Sequence, residues 1–301
     1  MATVSAARPG GRRSVNLQAS MGRAGVRRAI NWIMSGLIIA GAVIGCGILF
    51  VILGYIIVRG APALNWAFFT QRPAPLGQTG GGVAPAILGT LTMVGIGSLI
   101  GIPVGVGAGI YLAEFGRGRF ANLVRFIADL MTGLPSIAIG AFAWAILVRR
   151  VFNSYNPIAG GVALSIIMIP IITRTVEEIL KLVPNNLREA SLALGTPGWK
   201  TIMQVVLPVA RGGIVTGVVL SIARAAGETA PLLLTALGNE FFNFNLTEPM
   251  ASLPTQIYNY AKSPYDDSHT KAWGSSLVLI IVIGSLSLLT RLLTRQTRQG
   301  R

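Results

Sequence analysis

Long uncharged apolar runs, separated by short polar or basic connections, are the main feature of this chain. Residues 29–58 carry no charge at all. They exceed the roughly 20 residues that a helix rising about 1.5 Å per residue needs to cross a hydrocarbon core, and so predict a first membrane helix. Arg23, Arg27 and Arg28 precede the run, as they would a secretory signal. The apolar segment is about twice as long as a signal core and lacks a clear small-residue cleavage site, which favours a retained helix.

Four more apolar regions follow, at residues 84–112, 126–148, 157–176 and 273–290. Pro103 and Pro170 fall inside the first and third, where a missing backbone N–H predicts kinks. Residues 205–235 are apolar but carry Arg211, Arg224 and Glu228. The pattern predicts a helix there from about Gly212 into the APLLL stretch at 230–234. The resulting fold class is an all-α membrane protein with six transmembrane helices.

Composition agrees with this reading. The 301 residues are 52% hydrophobic and only 12% charged, with a mean hydropathy of +0.65. A water-soluble surface normally needs about twice that charge fraction. The net charge of +15 is unevenly spread, which argues against a nucleic-acid-binding surface. With the N-terminus placed in the cytoplasm, the cations fall about three to one on the inner segments, as the positive-inside rule requires, and the C-terminus returns to the cytoplasm.

The expected organisation begins with a basic cytoplasmic tail at 1–28, the first helix at 29–58 and an extracytoplasmic loop at 59–83. A core at 84–290 follows, with an inner connection at about 184–208 and an outer loop at 236–272, and a basic cytoplasmic tail at 291–301 closes the chain. Arg149 and Arg150, together on an outer segment, fit the charge rule least well. Cys46 is the single cysteine and His269 the single histidine, so neither a disulfide nor a histidine-rich metal centre is expected.

The inner connection reads PNNLREASLALGTPGWKTIMQVVLP from Pro184 to Pro208. Asn186 with Glu189 three residues later predicts a capped start, and Gly195 with Pro197 predicts the stop, leaving a helix of about nine residues. Leu187, Ala190, Ala193 and Leu194 recur at helical spacing and give it a small apolar face beside Arg188 and Glu189. Spacing alone leaves two readings open: a surface helix anchoring the loop, or a lever that docks into a soluble partner.

Glu189, Ala190, Ser191, Gly195, Val205, Leu207 and Pro208 match, with Ser191 and Val205 as small departures, the pattern Glu-Ala-Ala, three residues, Gly, nine residues, Ile, one residue, Leu-Pro. On these residues the chain resembles the transmembrane subunits of bacterial ABC importers, over roughly residues 85–290. The resemblance implies a type I importer permease fold. It also implies that Arg188, Glu189, Ala190, Ser191 and Gly195 belong to a coupling helix that sits on a cytoplasmic ATPase.

A second segment, RAAGETAP from Arg224 to Pro231, resembles the phosphate-specific permeases that work as pairs of different membrane subunits. Arg224 and Glu228 are four apart and so are expected to share one helix face, at roughly mid to outer depth in the membrane. Ionised groups inside a membrane are costly unless they are paired or face a cavity, which makes the two a candidate site on physical grounds as well. One role is an anion pathway in which the Arg224 guanidinium meets a tetrahedral oxyanion. The other is a structural intramembrane ion pair.

Two further segments attract attention. Asp129 and Thr132–Ser136 place polar groups and a helix interruption near the inner end of the third span. Gly95, Gly101, Gly105 and Gly109 fall mostly four apart, as helices that cross closely require. Glu114, at the inner end of the second span, would face the cytoplasm or the ATPase.

The chain has no GxxxxGK[ST] sequence, so no cofactor is expected on it, and ATP with Mg would be held by the ATPase subunit. The expected function is that of the permease subunit of an ATP-driven importer carrying inorganic phosphate into the cytoplasm, with no enzymatic activity of its own. The expected partners are a second, related permease subunit forming a heterodimer, two copies of the ATPase and an extracytoplasmic phosphate-binding protein, all at the bacterial inner membrane. A permease for sulfate, molybdate or phosphonate, and a non-transporting membrane scaffold, are the alternatives.

Overall fold

The computed structural model describes residues 17–75 and 77–296. The basic tails expected at 1–28 and 291–301 fall partly outside that range, because residues 1–16 and 297–301 are not among the described ones. The described helices are α1 Leu17–Gly60, α2 Trp66–Thr70, α3 Ala84–Ile110, α4 Arg119–Thr132, α5 Ser136–Ala143, α6 Pro157–Lys181, α7 Asn185–Ala193, α8 Gly198–Thr201, α9 Leu207–Ala226, α10 Ala230–Thr235, α11 Leu253–Ala261 and α12 Asp266–Gln296. Wider π-helical turns extend three of the bundle's helical runs, at Tyr111–Phe115, Trp144–Phe152 and Ile202–Val206.

The chain divides into two units, residues 1–55 and 56–301. The described part of the first is a single uninterrupted helix, almost all of whose side chains from Gly25 onward are exposed. Among the described residues of both units, five segments meet the length and apolarity needed to cross a membrane, the first of them the run from Gly25, and a sixth does if the bent pair 119–132 and 136–152 is one span. The chain is therefore a multi-pass membrane protein.

The core of the second unit lies between α3, α6 and α9, around Met93, Leu164, Met168, Ile172, Val176, Leu180, Val206 and Ala225. α3 and α6 approach closely because α3 presents glycine every fourth residue. A Cβ at Gly97, Gly101, Gly105 or Gly109 would meet Gly161 O, Met168, Ile172 or Val176 at 3.0, 3.1, 2.8 and 2.6 Å. Gly95, which the sequence pattern included, faces open space, and Gly97 takes its place. Both helices run on through their internal prolines, Pro103 and Pro170.

A smaller cluster at the opposite end from α7 joins Phe68, Val83, Ala251, Leu253, Tyr260 and Val278. The 236–272 segment is thus partly buried and carries α11, whose start is fixed by a capping box between Ser252 and Thr255.

Two expected helices are built differently. The region expected as one span at 126–148 is two elements bent by 104°. Gly133 ends α4, and Pro135, with no N–H to donate and a steric demand for extended backbone before it, starts α5 afresh. The helix expected from about Gly212 into 230–234 instead runs from Leu207 to Ala226 and stops at Gly227, and α10 begins anew at Ala230 with Pro231 in its first turn.

Candidate functional site

These two interruptions face each other. α5 and α10 cross so tightly that a Cβ on Gly140 would stand 2.6 Å from Pro231 Cα. Beside that crossing lies a cavity of about 90 Å³ lined by Met131, Thr132, Leu134, Ser136, Ile139, Ile167, Ile171, Arg224 and Glu228. Ile167 and Ile171 belong to the central turns of α6, so the cavity lies near the middle of that span.

The expectation that Arg224 and Glu228 share one helix face is corrected here. Arg224 is in the last turn of α9, whereas Glu228 lies beyond its end, in the break before α10. They remain neighbours: Arg224 Nε stands 4.0 Å from Glu228 Oε1, the outer limit of an ion pair and too long for a hydrogen bond. The Arg224 side chain is 59% exposed, against 17% for Glu228. The Arg224 side chain is therefore largely open beside the cavity it helps to line, while the carboxylate is largely enclosed. Thr132 and Ser136, assigned by their sequence position to the inner end of a span, line the same cavity. The Thr132 hydroxyl donates to Asp129 O at 2.7 Å.

The second candidate region is the 184–208 connection. α7 has the expected nine residues, but its N-cap is Pro184, and Asn186 makes no cap. Pro184 holds φ at −59° and ψ at 138°, so helical geometry begins one residue before Asn186. At the other end Gly195 adopts φ +76° with open space around it, so it is the backbone angle that requires glycine. The N–H of Gly195 donates to Leu192 O and that of Thr196 to Ser191 O, closing the helix end.

The five residues expected on this helix divide into two groups. Glu189, Ala190 and Gly195 are exposed. Ser191 is buried, and its hydroxyl pairs with that of Thr201 at 2.9 Å. Arg188 turns inward: Nη2 and Nε meet the two Glu114 oxygens at 2.7 and 3.2 Å, and the same guanidinium donates to Val183 O and Leu180 O. Glu114, expected to face outward, is only 8% exposed. The pair bolts α7 to the end of the α3 segment. Around the helix, Leu182, Leu194, Trp199 and Met203 leave large apolar side chains uncovered.

Sequence reasoning missed a third constellation. Glu177 of α6 is fully buried and receives Arg125 Nε at 2.6 Å, Lys181 Nζ at 2.6 Å and Arg174 Nη1 at 2.8 Å. Arg174 also pairs with Asp129 at 2.7 Å. The signal was present, since Arg174, Glu177 and Lys181 share one helix face by spacing. The convergence of Arg125 and Asp129 from α4 became visible only in the fold.

A match from residue 105 to residue 299 assigns this architecture to the binding-protein-dependent transport system inner membrane component family. Among solved structures, a chain of the MetNI methionine ABC transporter in an inward-facing conformation superposes with a TM-score of 0.60 at 20% identity, covering 71% of this chain and 95% of that one. A bacterial ABC transporter involved in import of the acidic polysaccharide alginate gives 0.57 at 16% identity, covering 91% and 100%. The fold is that of a type I ABC importer permease.

The phosphate transport system permease protein PstA of Haemophilus influenzae is 45% identical over 268 residues, covering 88% of this chain and 94% of that protein. The PstA of Yersinia pestis is 41% identical over 268 residues, covering 89% and 90%. PstA 1 of Mycobacterium tuberculosis strain H37Rv is 38% identical over 241 residues. The chain belongs to the binding-protein-dependent transport inner membrane component family and, within it, to the PstA phosphate permease group.

Proposed function

We propose that this chain is the membrane permease subunit of an ATP-driven importer of inorganic phosphate, and that Arg224 and Glu228 form part of the anion path. The observation that carries this reading is the largely open Arg224 side chain lining a mid-span cavity between two interrupted helices, beside a carboxylate that does not tie up its donors. A guanidinium fork suits a tetrahedral oxyanion. The nearby Glu228 charge keeps the anion weakly held, as a transported ligand requires.

Through the exposed face of α7, with Glu189, Ala190 and Gly195, the chain docks on a cytoplasmic ATPase that holds ATP and Mg. A second, related permease subunit completes the pore, two ATPase copies drive it, and an extracytoplasmic binding protein delivers phosphate. Both termini lie in the cytoplasm of a bacterium whose inner membrane holds the complex. Arg188 belongs to the support of α7 and not to its docking face.

Uptake of radiolabelled phosphate at limiting concentration, with excess sulfate as competitor, tests this function. Chain-dependent uptake that sulfate leaves unchanged, and that Arg224→Ala lowers in a fully assembled complex, is the expected result. Uptake indifferent to the chain withdraws phosphate, and wild-type uptake by Arg224→Ala removes Arg224 from the path.

A further inference from the structure

The geometry points to Glu177, which does not line the cavity, as a positioning residue for transport: through Arg125, and through Arg174 and Asp129, it fixes α4 and thereby the cavity wall from Met131 to Ser136. This inference rests on the reading of that cavity as the anion path.

Little apolar packing holds α4 in place. Its only buried side chains are Ala121 and Ala128, while Leu123, Phe126, Ile127 and Leu130 are exposed, and Phe120, also exposed, meets the Tyr111 ring edge-on at 6.0 Å. Two alanines bury little apolar area. The strong attachments of α4 within this chain are therefore electrostatic, and they lie one turn apart, at Arg125 and Asp129. Arg125 spans two elements at once, giving Nε to Glu177 and Nη2 to Leu112 O and Gly116 O at 2.9 and 3.1 Å. Asp129 receives both Nε and Nη2 of Arg174, at 2.7 and 3.1 Å.

Glu177 is the hub. Its oxygens take three cations, and with it neutralised Arg125, Arg174 and Lys181 would face one another with only Asp129 to offset them. A buried carboxylate stripped of its charge leaves its partners uncompensated, which is costly in a low-dielectric site. One turn beyond Asp129 the chain reaches Thr132, whose hydroxyl donates back to Asp129 O, and then the Gly133–Pro135 break and Ser136. Displacement of α4 at Asp129 is thus passed directly to the wall facing Arg224.

The test uses the whole transport complex. Because Cys46 is the only cysteine of this chain, Cys46→Ala removes its thiol, and labelling is read on this subunit after the complex is separated. Ser136→Cys in that background reports the cavity wall through its rate of labelling by a small charged thiol reagent. Glu177→Gln is expected to change that rate and, with cysteine and serine both native, to lower phosphate uptake about tenfold in an assembled complex. Glu177→Asp, which keeps the charge, is expected to restore much of both.

An assembled Glu177→Gln complex with unchanged labelling and unchanged uptake overturns the inference, and so does a loss of uptake with unchanged labelling. If Glu177→Gln does not assemble, Asp129→Asn removes one link of the same network, and an unchanged labelling rate there overturns the inference equally. Failure of the anion-path reading has a different signature: Arg224→Ala keeps full uptake, whatever the labelling rate does.

Discussion

Arg188 and Glu114 allow a prediction with a worked magnitude. Arg188→Met leaves the Glu114 carboxylate without its bidentate partner at a site where that carboxylate is only 8% exposed. Stranding one member of a buried pair costs about 3–5 kcal/mol. Replacing both, as Glu114→Gln with Arg188→Met, strands no charge. The main remaining losses are the donors to Val183 O and Leu180 O, at about 1 kcal/mol each.

Both variants lose those two donors, so the single should be less stable locally than the double by the stranding cost alone, about 3–5 kcal/mol. Amide hydrogen exchange in detergent measures this directly. At tenfold per about 1.4 kcal/mol, α7 amides in the double variant should exchange about 30-fold faster than wild type, and those in Arg188→Met at least about 100-fold faster again. Amides of the α3–α6 contact should barely change. If single and double variants exchange α7 equally fast, the stranded-charge account fails. If α7 exchange in Arg188→Met matches wild type, the pair does not hold the helix.

Three other outcomes are expected. Gly109→Ala should lower thermal stability by about 1–3 kcal/mol through overpacking against Val176 and Thr173 O, whereas Gly107→Ala, with open space around it, should not; equal effects would refute the close-approach argument. Glu189→Lys should weaken ATPase association in pull-down while membrane insertion and α7 hydrogen exchange stay normal, since Glu189 is exposed, and normal association would remove it from the docking face. Burial pushes the Tyr260 phenol above its usual 10.0, with Glu240 and Asp267 adding to the shift. The associated stability is complete below pH 10.0 and is lost as pH rises through the folded-state value, so melting temperature should fall above that point less in Tyr260→Phe than in wild type, and identical falls would refute the assignment.

The sequence by itself determined the class of structure, because hydrocarbon thickness and the cost of charge in it act on local composition. Runs such as 29–58 and 157–176 have one stable solution in a bilayer. The short helix at Asn185–Ala193 was likewise legible, since Pro184, Gly195 and Pro197 impose backbone angles that do not depend on neighbours. The interruption at Thr132–Ser136 was legible too, though not the 104° bend it makes, whereas at Gly227 the apolar content on either side favoured one continuous helix.

The tertiary structure decided what those breaks are for. Only packing brings Thr132 and Ser136 to Arg224 and Glu228, across about ninety residues of chain. Only packing turns Arg188 from a surface charge into a bolt on Glu114, and brings Arg125 to Glu177 and Asp129 to Arg174. Those charges are paired between segments distant in sequence, and a charge in a one-dimensional pattern has no assigned partner until the helices that carry it meet.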